Sequence, residues 1–561
     1  MKTRWLIAVS VTCWVVLTIG FAGPISLALS LHAQAGATVS GVVQAADGPV
    51  AGAVVRVQAT TYATQTDSDG TFTLSLPGGE GLFILTAWAP GYLIVRADGV
   101  TPGETDVLLI LMAHSDHDNP AYDWLSAYSS GGDEPNCQNC HSDPTDPEST
   151  LPFDEWVLDA HSQSASNPRF LTMYTGTDTE GHQSPLTRYG YSRDYGRFPL
   201  RPNPAQPYAG PGYKLDFPAT TGNCAACHTP AAAVNAPYST DPTQVTGVGA
   251  EGVACDLCHK VWDVRLNPAT GLPYPNMPGV LSIEFRRPPE GHQFFAGPLD
   301  DVAPGEDTYS PLQTQSQFCA ACHYGVFWDA VVYNSFGEWL DSPYSDPETG
   351  QTCQDCHMPP LGAAYLARPD QGGRERDPET IYSHRMPGAQ DEALLQNTVE
   401  LDLDAARDGD AVSVQVTVTN TGAGHHAPTD SPLRQILLIV IAIDEEGRTL
   451  ALQSGPTLPD WAGDLADLPG VYFAKILQEL WTEVTPTGAY WMPTRIVEDT
   501  RLSALATGTS AYVFEASNRT QIRVEARLVF RRAYYALMQQ KGWNTPDIIM
   551  ESAIIDLPGV F

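Results

Sequence analysis

Basic residues are scarce in this sequence. The chain has 561 residues, with 30 Lys and Arg against 65 Asp and Glu, which gives a formal net charge of −35. An acidic surface of this kind repels phosphate backbones and anionic lipid headgroups, so nucleic acid is not an expected partner. After residue 35 the sequence has no apolar run long enough to span a bilayer, which excludes a polytopic membrane protein.

The composition also excludes a disordered acidic protein. Hydrophobic residues make up 43% of the chain, and it contains 48 Gly and 46 Pro. Such a mixture is typical of a folded, water-soluble protein with many turns. The length predicts a multidomain chain with about three domains.

The first 35 residues have the pattern of an export signal. Lys2 and Arg4 precede an uncharged stretch at residues 5–31, and Ala33 and Ala35 form a small-x-small cleavage site. We therefore predict a signal peptide at residues 1–35. Because the apolar stretch is long enough to cross a bilayer, an uncleaved N-terminal membrane anchor is the alternative. Either reading predicts an extracytoplasmic protein that is periplasmic, secreted or held at the cell surface.

Two parts of the sequence alternate apolar and polar residues, as strands with one buried face do. In residues 36–113, the alternating runs at 53–57 and 71–76 are separated by turn residues. In residues 395–561, the clearest alternation is at 412–418. These patterns predict a β-sandwich at each end of the mature chain, with a short helix near residues 532–541.

The cysteines carry the strongest signal. Ten of the eleven fall in five Cys-x-x-Cys pairs, each followed directly by His, although the chain has only 14 histidines. Cys-x-x-Cys-His is the attachment motif of c-type haem: the two cysteines bond the porphyrin, and the histidine binds the iron. The predicted attachment cysteines are Cys137, Cys140, Cys224, Cys227, Cys255, Cys258, Cys319, Cys322, Cys353 and Cys356. The predicted proximal ligands are His141, His228, His259, His323 and His357.

Other uses of Cys-x-x-Cys explain the pattern less well. Zinc sites do not require His after every pair, and a thioredoxin-type protein needs only one such motif. Residues 114–394 contain all five motifs but show only short helical patterns between many Pro, Gly, Tyr and Asp residues. We therefore predict a central, mostly α or irregular multihaem cytochrome c domain, in which five covalent haems supply the apolar core.

Eight further histidines are available to bind iron from the opposite side of each haem. Of these, we favour His117, His161, His292, His384 and His425; the others are His114, His182 and His426. His161 follows Trp156 on a predicted helix, His384 lies in the connection to the last domain, and His425 lies on a Gly-rich loop. For each of them, a solvated or structural histidine is the alternative. Two histidine ligands favour electron transfer, whereas an open position permits catalysis.

Two resemblances to known families follow from local motifs. The segments VSGVVQAADGPVAGAVVRVQAT, TDSDGTFTLSLP and LTAWAPGY in residues 36–113 resemble the carboxypeptidase regulatory-like domain, which implies a transthyretin-like β-sandwich in an accessory role. The segments GNCAACHTP, GVACDLCHKV, GQTCQDCHMPP, SHRMPGA and NTGAGHHAPTD resemble exported multihaem cytochromes c of the group that contains hydroxylamine oxidoreductase and its tetrahaem electron acceptors. The second resemblance implies that His425, rather than His426, is the ligand, so that the C-terminal β-sandwich contributes a haem ligand loop.

The chain departs from the catalytic members of that group. It has five motifs where hydroxylamine oxidoreductase has eight haems, and it shows no counterpart of that enzyme's tyrosine cross-link. Pentahaem nitrite reductase requires a Cys-x-x-Cys-Lys motif, but Lys260 here follows His259 and does not replace it. The expected function is electron transfer between redox protein partners, or within a quinol or terminal acceptor system. The alternatives are an oxidoreductase acting on a small nitrogen or sulfur compound at one open haem, and a β-sandwich adhesin with incidental haems.

Overall fold

The computed structural model describes residues 37–78, 81–132, 135–517 and 519–558. The predicted signal peptide or anchor at residues 1–35 lies outside the described residues. Within the described ranges, no helix combines the length and the apolar character that crossing a membrane requires.

The N-terminal part is a β-sandwich, which confirms the prediction from residue alternation. Its two four-stranded sheets have the orders β2-β1-β5, with β8 parallel to β1, and β4-β3-β6-β7. In β5, Phe72 and Leu74 are buried while their neighbours are exposed. The core between the sheets includes Val43, Val55 and Leu85, which are fully buried. The strands are β1 Thr38–Ala45, β2 Gly48–Pro49, β3 Val54–Val57, β4 Ala63–Gln65, β5 Thr71–Ser75, β6 Phe83–Trp88, β7 Val95–Val100 and β8 Val107–Ile110.

The middle of the chain is built from short elements. The longest of its helices, α3, has 8 residues, and isolated helices of that length are not stable in water. The helices are α1 Gln138–His141, α2 Pro152–Trp156, α3 Pro168–Thr175, α4 Tyr213–Asp216, α5 Ala225–His228, α6 Pro230–Ala233, α7 Cys255–Cys258, α8 Gln317–Ala320, α9 Ser335–Leu340, α10 Cys353–His357 and α11 Glu392–Gln396. The strands, paired in two-stranded sheets, are β9 Tyr189–Ser192 with β10 Gly196–Pro199, β11 Val261–Val264 with β12 Ile283–Phe285, β13 Phe295–Gly297 with β14 Asp307–Tyr309, and β15 Gly325–Phe327 with β16 Ala330–Tyr333.

The structure therefore does not confirm a mostly helical central domain. Much of residues 114–394 is irregular, as the Pro and Gly content predicts, but helices and small sheets share the rest. Each of these elements is too short to enclose a core by itself. Several of them share a buried apolar cluster that includes Ala225, Leu257 and Phe336.

The C-terminal part is a second sandwich. A four-stranded sheet of order β17-β18-β23-β20 faces a five-stranded sheet of order β22-β21-β19-β24-β25, and the alternating valines of β18 are at most 2% exposed in the core between them. The strands are β17 Glu400–Asp408, β18 Ala411–Thr419, β19 Gln435–Asp444, β20 Leu452–Ser454, β21 Gly470–Glu479, β22 Thr494–Asp499, β23 Thr507–Glu515, β24 Ile522–Arg531 and β25 Ile548–Leu557. Helix α12, Tyr535–Lys541, confirms the helix predicted there.

Both sandwiches are attached to the middle of the chain. From the N-terminal side, Arg56 forms two hydrogen bonds with the carboxylate of Asp300, of 2.8 and 3.0 Å. From the C-terminal side, the buried ammonium group of Lys541 donates to the carbonyl oxygens of Thr172, Thr177 and Pro211 at 3.0, 3.0 and 2.6 Å. Through these contacts, the two sandwiches hold the short elements between them in position.

This architecture predicts different behaviour of the parts when haem is not attached. Protein produced without the attachment machinery should retain β-sheet circular dichroism, because the two sandwiches have cores of their own. The residues between them should become sensitive to proteolysis, because their short helices lose the groups that they enclose. Limited proteolysis with mass mapping would check this. Protection of residues 114–394 in the haem-free protein would show that haem is not their core.

Candidate haem-binding cavity

Each Cys-x-x-Cys-His motif lies on or directly beside a short helix. In chain order the motifs fall at helices α1, α5, α7, α8 and α10. The fourth begins near the end of α8 and continues in the turn that follows, where the N–H of His323 donates to the carbonyl oxygen of Cys319 at 3.1 Å. Residues three apart in a helix share a face, so the two cysteines of a motif project to the same side. The motif on α10 also has a capping box, in which Asp355 accepts from the backbone N–H of Thr352 at 2.7 Å and Thr352 accepts from that of Asp355 at 3.2 Å.

The middle residues of the motifs explain how the helices pack. Ala225 and Ala226 between the cysteines of α5, and Ala320 and Ala321 after Cys319, are at most 1% exposed. They pack with Leu257 of α7 in one apolar cluster. Small side chains on this face let the motif helices approach one another closely.

All five motifs border one cavity. Its volume is about 1600 Å³, and the ten motif cysteines and five motif histidines all line it. A pocket for a single small ligand is usually about 300–1,000 Å³. The structure thus brings together every attachment residue that the sequence predicts.

The motif histidines are oriented for metal binding. The Nδ1 atoms of His141, His259 and His357 lie 2.7, 2.8 and 2.8 Å from the carbonyl oxygens of Leu366, Ala296 and Pro387. A carbonyl oxygen only accepts, so Nδ1 carries the hydrogen and Nε2 keeps its free lone pair. Burial lowers the pKa of all three imidazoles, which favours the neutral form that binds metals.

Two histidines predicted as second ligands face motif histidines. The ring centres of His161 and His323 are 6.2 Å apart, and those of His357 and His425 are 6.4 Å apart. Two imidazoles that bind one metal ion from opposite sides, each at about 2.0–2.1 Å, have their ring centres about 6 Å apart. The spacing of both pairs fits an iron atom between the rings, and the residues present therefore fit haem c.

The outer nitrogens of these two second ligands are also held. Nδ1 of His161 lies 2.6 Å from Oδ1 of Asp159, and Nδ1 of His425 lies 2.9 Å from the carbonyl oxygen of His426. In both rings Nε2 is left for a metal. The neighbouring His426 instead has its Nδ1 atom 3.6 Å from Oε1 of Glu338.

His384 also borders the cavity. Its Nδ1 atom lies 3.0 Å from the carbonyl oxygen of Tyr382, and its backbone N–H donates to Glu155 of α2 at 2.6 Å. Burial, together with the nearby rings of His259 and His141, lowers the pKa of His384 to about 4. His384 therefore lies beside the first and third motifs.

The structure does not bring His117 and His292 to the cavity. The side chain of His117 is 89% exposed, with Nε2 3.4 Å from Oδ1 of Asp116. His292 is exposed as well, and neither residue lines the cavity. His117 and His292 are therefore not part of the proposed set of iron ligands.

His114, which the sequence did not favour as a ligand, has a buried ring nitrogen. Its Nδ1 atom lies 2.9 Å from the carbonyl oxygen of Ser115, and its Nε2 atom is buried without a hydrogen-bond partner among the described residues. The ring packs between Trp262 and Phe294. One signal could have favoured His114 over His117, since His114 directly follows the apolar run that ends the N-terminal sandwich.

Contacts between cysteines show which motifs are neighbours. Three pairs of cysteines from different motifs lie close enough to influence each other's pKa: Cys227 and Cys322, Cys137 and Cys255, and Cys319 and Cys353. Burial and then the charge of Cys322 raise the pKa of Cys258 to about 12, which places the third motif beside the fourth. The fourth motif, with His323, is therefore next to the second, third and fifth.

These features define the class of protein: a multidomain chain with an N-terminal β-sandwich and a middle region arranged like a multihaem cytochrome. Residues 38–112 match the carboxypeptidase regulatory-like domain family, which confirms that resemblance. No curated protein matches the chain.

Among solved structures, the chain is similar to a penta-haem cytochrome c552 from Thermochromatium tepidum. The similarity covers 75% of this chain and 97% of that one, with 20% identity and a TM-score of 0.51, so the two share a fold. A cohesin–X-dockerin complex from Acetivibrio cellulolyticus matches 14% of this chain and 59% of its own, with 22% identity and a TM-score of 0.13. A human F-spondin reeler domain matches 27% and 88%, with 14% identity and a TM-score of 0.11. The last two scores are too low to indicate a common fold. The resemblance to the hydroxylamine oxidoreductase group stays a prediction.

The pairing of His425 with His357 can be tested by replacing His425 with Gln. One haem should lose its second axial ligand while the thioether bonds at Cys353 and Cys356 keep it attached. Electron paramagnetic resonance of the oxidised protein should then show a new high-spin ferric signal at unchanged haem content.

Two variants serve as controls for that experiment. His426→Gln should leave the spectrum unchanged, and so should His182→Gln, because His182 is 71% exposed and bonded to Asp178. A high-spin signal in His426→Gln and none in His425→Gln would contradict the assignment.

Proposed function

We propose that this protein is an extracytoplasmic pentahaem c-type cytochrome that transfers electrons between redox partners. The observation that carries the proposal is the convergence of all five attachment motifs on one cavity, with two imidazole pairs spaced for iron. The ten motif cysteines would hold five haems, and His141, His228, His259, His323 and His357 would bind the irons. When bound, haem supplies reversible one-electron chemistry at iron.

The remaining roles belong to the chain's own residues. His161, His384 and His425 would provide second ligands, and the hydrogen bonds on their Nδ1 atoms orient each ring. Short helices and the two sandwiches line the cavity with mostly apolar surface, which lowers the local dielectric constant. The neighbouring cysteines would place the motifs in a branched series, with the His323 motif at the branch and the His141 motif at one end.

The second-ligand histidines have different partners, and this difference should separate the reduction potentials. Burial alone would lower the pKa of His161, but the hydrogen bond with Asp159, together with the charges of Asp159 and Cys322, raises that pKa overall. A carboxylate partner makes an imidazole a stronger electron donor to a metal than a carbonyl partner does. The site of His161 and His323 is thus expected to have a lower potential than that of His357 and His425.

The location and partners follow from sequence and chemistry. The export-signal pattern of residues 1–35 supports an extracytoplasmic location. Covalent attachment of haem supports it too, because c-type haem is attached on the outer side of the cytoplasmic membrane. The partners would be redox proteins, or a quinol or terminal acceptor system. A net charge of −35 favours partners with basic docking surfaces.

Electron transfer itself can be tested by reductive titration of the purified protein in an optically transparent electrochemical cell. We expect reversible uptake of five electrons per chain, with optical changes of c-type haem at each step. Uptake of fewer electrons, or irreversible bleaching, would contradict the proposal.

Replacing Asp159 with Asn tests whether this carboxylate lowers the reduction potential of the haem bound by His161 and His323. The variant keeps the shape of the side chain but removes the charge beside His161, so the potential of one haem should rise by about 59 mV, equivalent to a tenfold change for one electron. The control is Asp178→Asn, which changes the partner of the exposed His182. Equal potentials in both variants and the unmodified protein would show that Asp159 does not tune the site.

A further inference from the structure

The hairpin of β9 and β10 carries positive charge on the surface of an acidic chain. Its two strands pair antiparallel, with Tyr191 opposite Arg197. Residues 188–201 contain four of the chain's 30 basic residues but only one acidic residue, Asp194. The four basic side chains are all exposed: Arg188, Arg193, Arg197 and Arg201. The hairpin is therefore a local exception to the net charge of −35.

The contacts of these arginines are with neutral groups. Arg188 donates to the carbonyl oxygen of Arg201 at 2.9 Å, and Arg201 donates to the carbonyl oxygen of Thr482 at 2.6 Å. The guanidinium group of Arg197 lies 3.9 Å from the ring centre of Tyr189. Such contacts orient a guanidinium group but do not neutralise it, so its charge stays available to a partner.

Few carboxylates surround the hairpin. Asp194 is exposed in its turn, and Glu483 is exposed next to Thr482. Glu479 is near enough to feel the charge of Arg201, but it is buried, and burial raises its pKa. Four exposed guanidinium groups against two exposed carboxylates leave this surface positive.

Exposed aromatic rings lie among the arginines. The exposed fractions of Tyr191, Tyr195 and Trp481 are 80%, 71% and 42%. Tyr195 contacts Trp481 edge to face with ring centres 5.6 Å apart, and Phe198 stacks on Trp481 at 5.7 Å. Tyr, Trp and Arg are enriched at protein–protein interfaces and often contribute most of the binding energy. The combination indicates a surface that another protein covers.

The hairpin is bonded to the wall of the haem-binding cavity. The hydroxyl group of Tyr189 donates to the backbone carbonyl oxygen of Asp216 at 2.9 Å, and the carboxylate of Asp216 accepts from the indole N–H of Trp491 at 2.7 Å. Trp491 and Tyr213 both line the cavity, with ring centres 6.3 Å apart. Two hydrogen bonds thus connect a residue of the hairpin to a residue that borders the cavity.

Tyr213 packs against the segment that leads into the second motif. Its hydroxyl group lies 3.0 Å from Oγ1 of Thr220. Gly222 has a φ of +66°, and a Cβ atom there would lie 2.6 Å from Cζ of Tyr213, so the ring fits against this position only because it is glycine. Cys224, the first cysteine of the motif, follows two residues later. The packed path from the hairpin therefore ends at the second motif.

We propose that the β9–β10 hairpin, with its four arginines and with Tyr191 and Tyr195, is the docking surface for an acidic redox protein that exchanges electrons with the haem of the second motif. The inference rests on the proposed function, because it requires that haem. Opposite charges speed the encounter of two proteins and select the correct partner, and exposed rings then supply contact area.

This surface separates two partners by charge. Most of the chain is acidic, and the proposed function expects a partner with a basic docking surface there. A partner with an acidic docking surface would bind the hairpin and leave the acidic surface free. An electron donor and an electron acceptor of opposite charge would then bind the same molecule at different places.

The test measures electron transfer to the oxidised, fully haem-loaded protein from reduced plant-type ferredoxin, a strongly reducing iron–sulfur protein that is acidic. Stopped-flow absorbance gives the second-order rate constant. The double variant with Arg193→Glu and Arg197→Glu should lower it about tenfold, because two attractive charges become repulsive. The difference should shrink as the ionic strength is raised from about 0.05 M to about 0.5 M, since salt screens exposed charges.

A second double variant, with Arg96→Glu and Arg527→Glu, is the matched control. It changes the net charge equally, but Arg96 is a 49% exposed residue of the N-terminal sandwich and Arg527 is an exposed residue of β24. Its rate constant should stay within about twofold of that of the unmodified protein. A loss in the hairpin variant that persists at high salt, or an equal loss in the control, would contradict the proposal.

Two further measurements identify the occupant of the hairpin. Oxidised mitochondrial cytochrome c, a basic protein, should accept electrons from the reduced hairpin variant at least as fast as from the unmodified protein; equal slowing with both probes would overturn the choice of an acidic partner. Light scattering over a range of concentrations tests for self-association. Oligomers that the hairpin variant abolishes would show that a second copy of this chain binds there, and the proposal would be wrong.

The proposed function and the docking site fail in different ways. Reductive titration does not involve the hairpin, so the hairpin variant should still take up five electrons per chain. If it does so and ferredoxin reduces it as fast as the unmodified protein, the docking site is wrong and electron transfer by five haems still stands.

Discussion

The convergence of five Cys-x-x-Cys-His motifs, carried on short pieces of chain, on one cavity is the constraint on which the rest of this structure depends. Between the two sandwiches, the helices have eight residues or fewer, and the sheets have two strands each. Such elements gain little from their own hydrogen bonds and must be held by what they pack against. In the proposed function, covalent attachment at five places would fix large apolar groups in the cavity and complete the core of this part of the chain.

The two sandwiches do more than flank that cavity. The loop that carries His425 is attached to α9 through Glu338, which accepts from Thr429 at 2.5 Å and from Arg501 at 2.6 Å. The C-terminal sandwich thereby positions a proposed iron ligand. On the other side, the N-terminal sandwich donates the backbone N–H of Ala59 to Asp301 at 2.7 Å, and Gln58 borders the cavity. The accessory module thus closes part of the site.

Sequence reasoning predicted the features that depend on local chemistry. The motif spacing predicted attachment residues that the structure gathers around one cavity, and residue alternation predicted both sandwiches, because these signals are contained in a few neighbouring residues. The second iron ligands were harder, since a histidine becomes a ligand only when distant segments bring it to a haem. His161 and His425 face motif histidines, but His117 is on the surface while His114, three residues earlier, is half-buried.

Intact-mass spectrometry of the purified, denatured protein tests the central claim most directly, because thioether-linked haem stays on the polypeptide when the fold is lost. The account predicts a single species whose mass exceeds that of the processed chain by five haem groups, with peptides that locate one haem on each Cys-x-x-Cys-His motif. A mass equal to that of the bare polypeptide would contradict it.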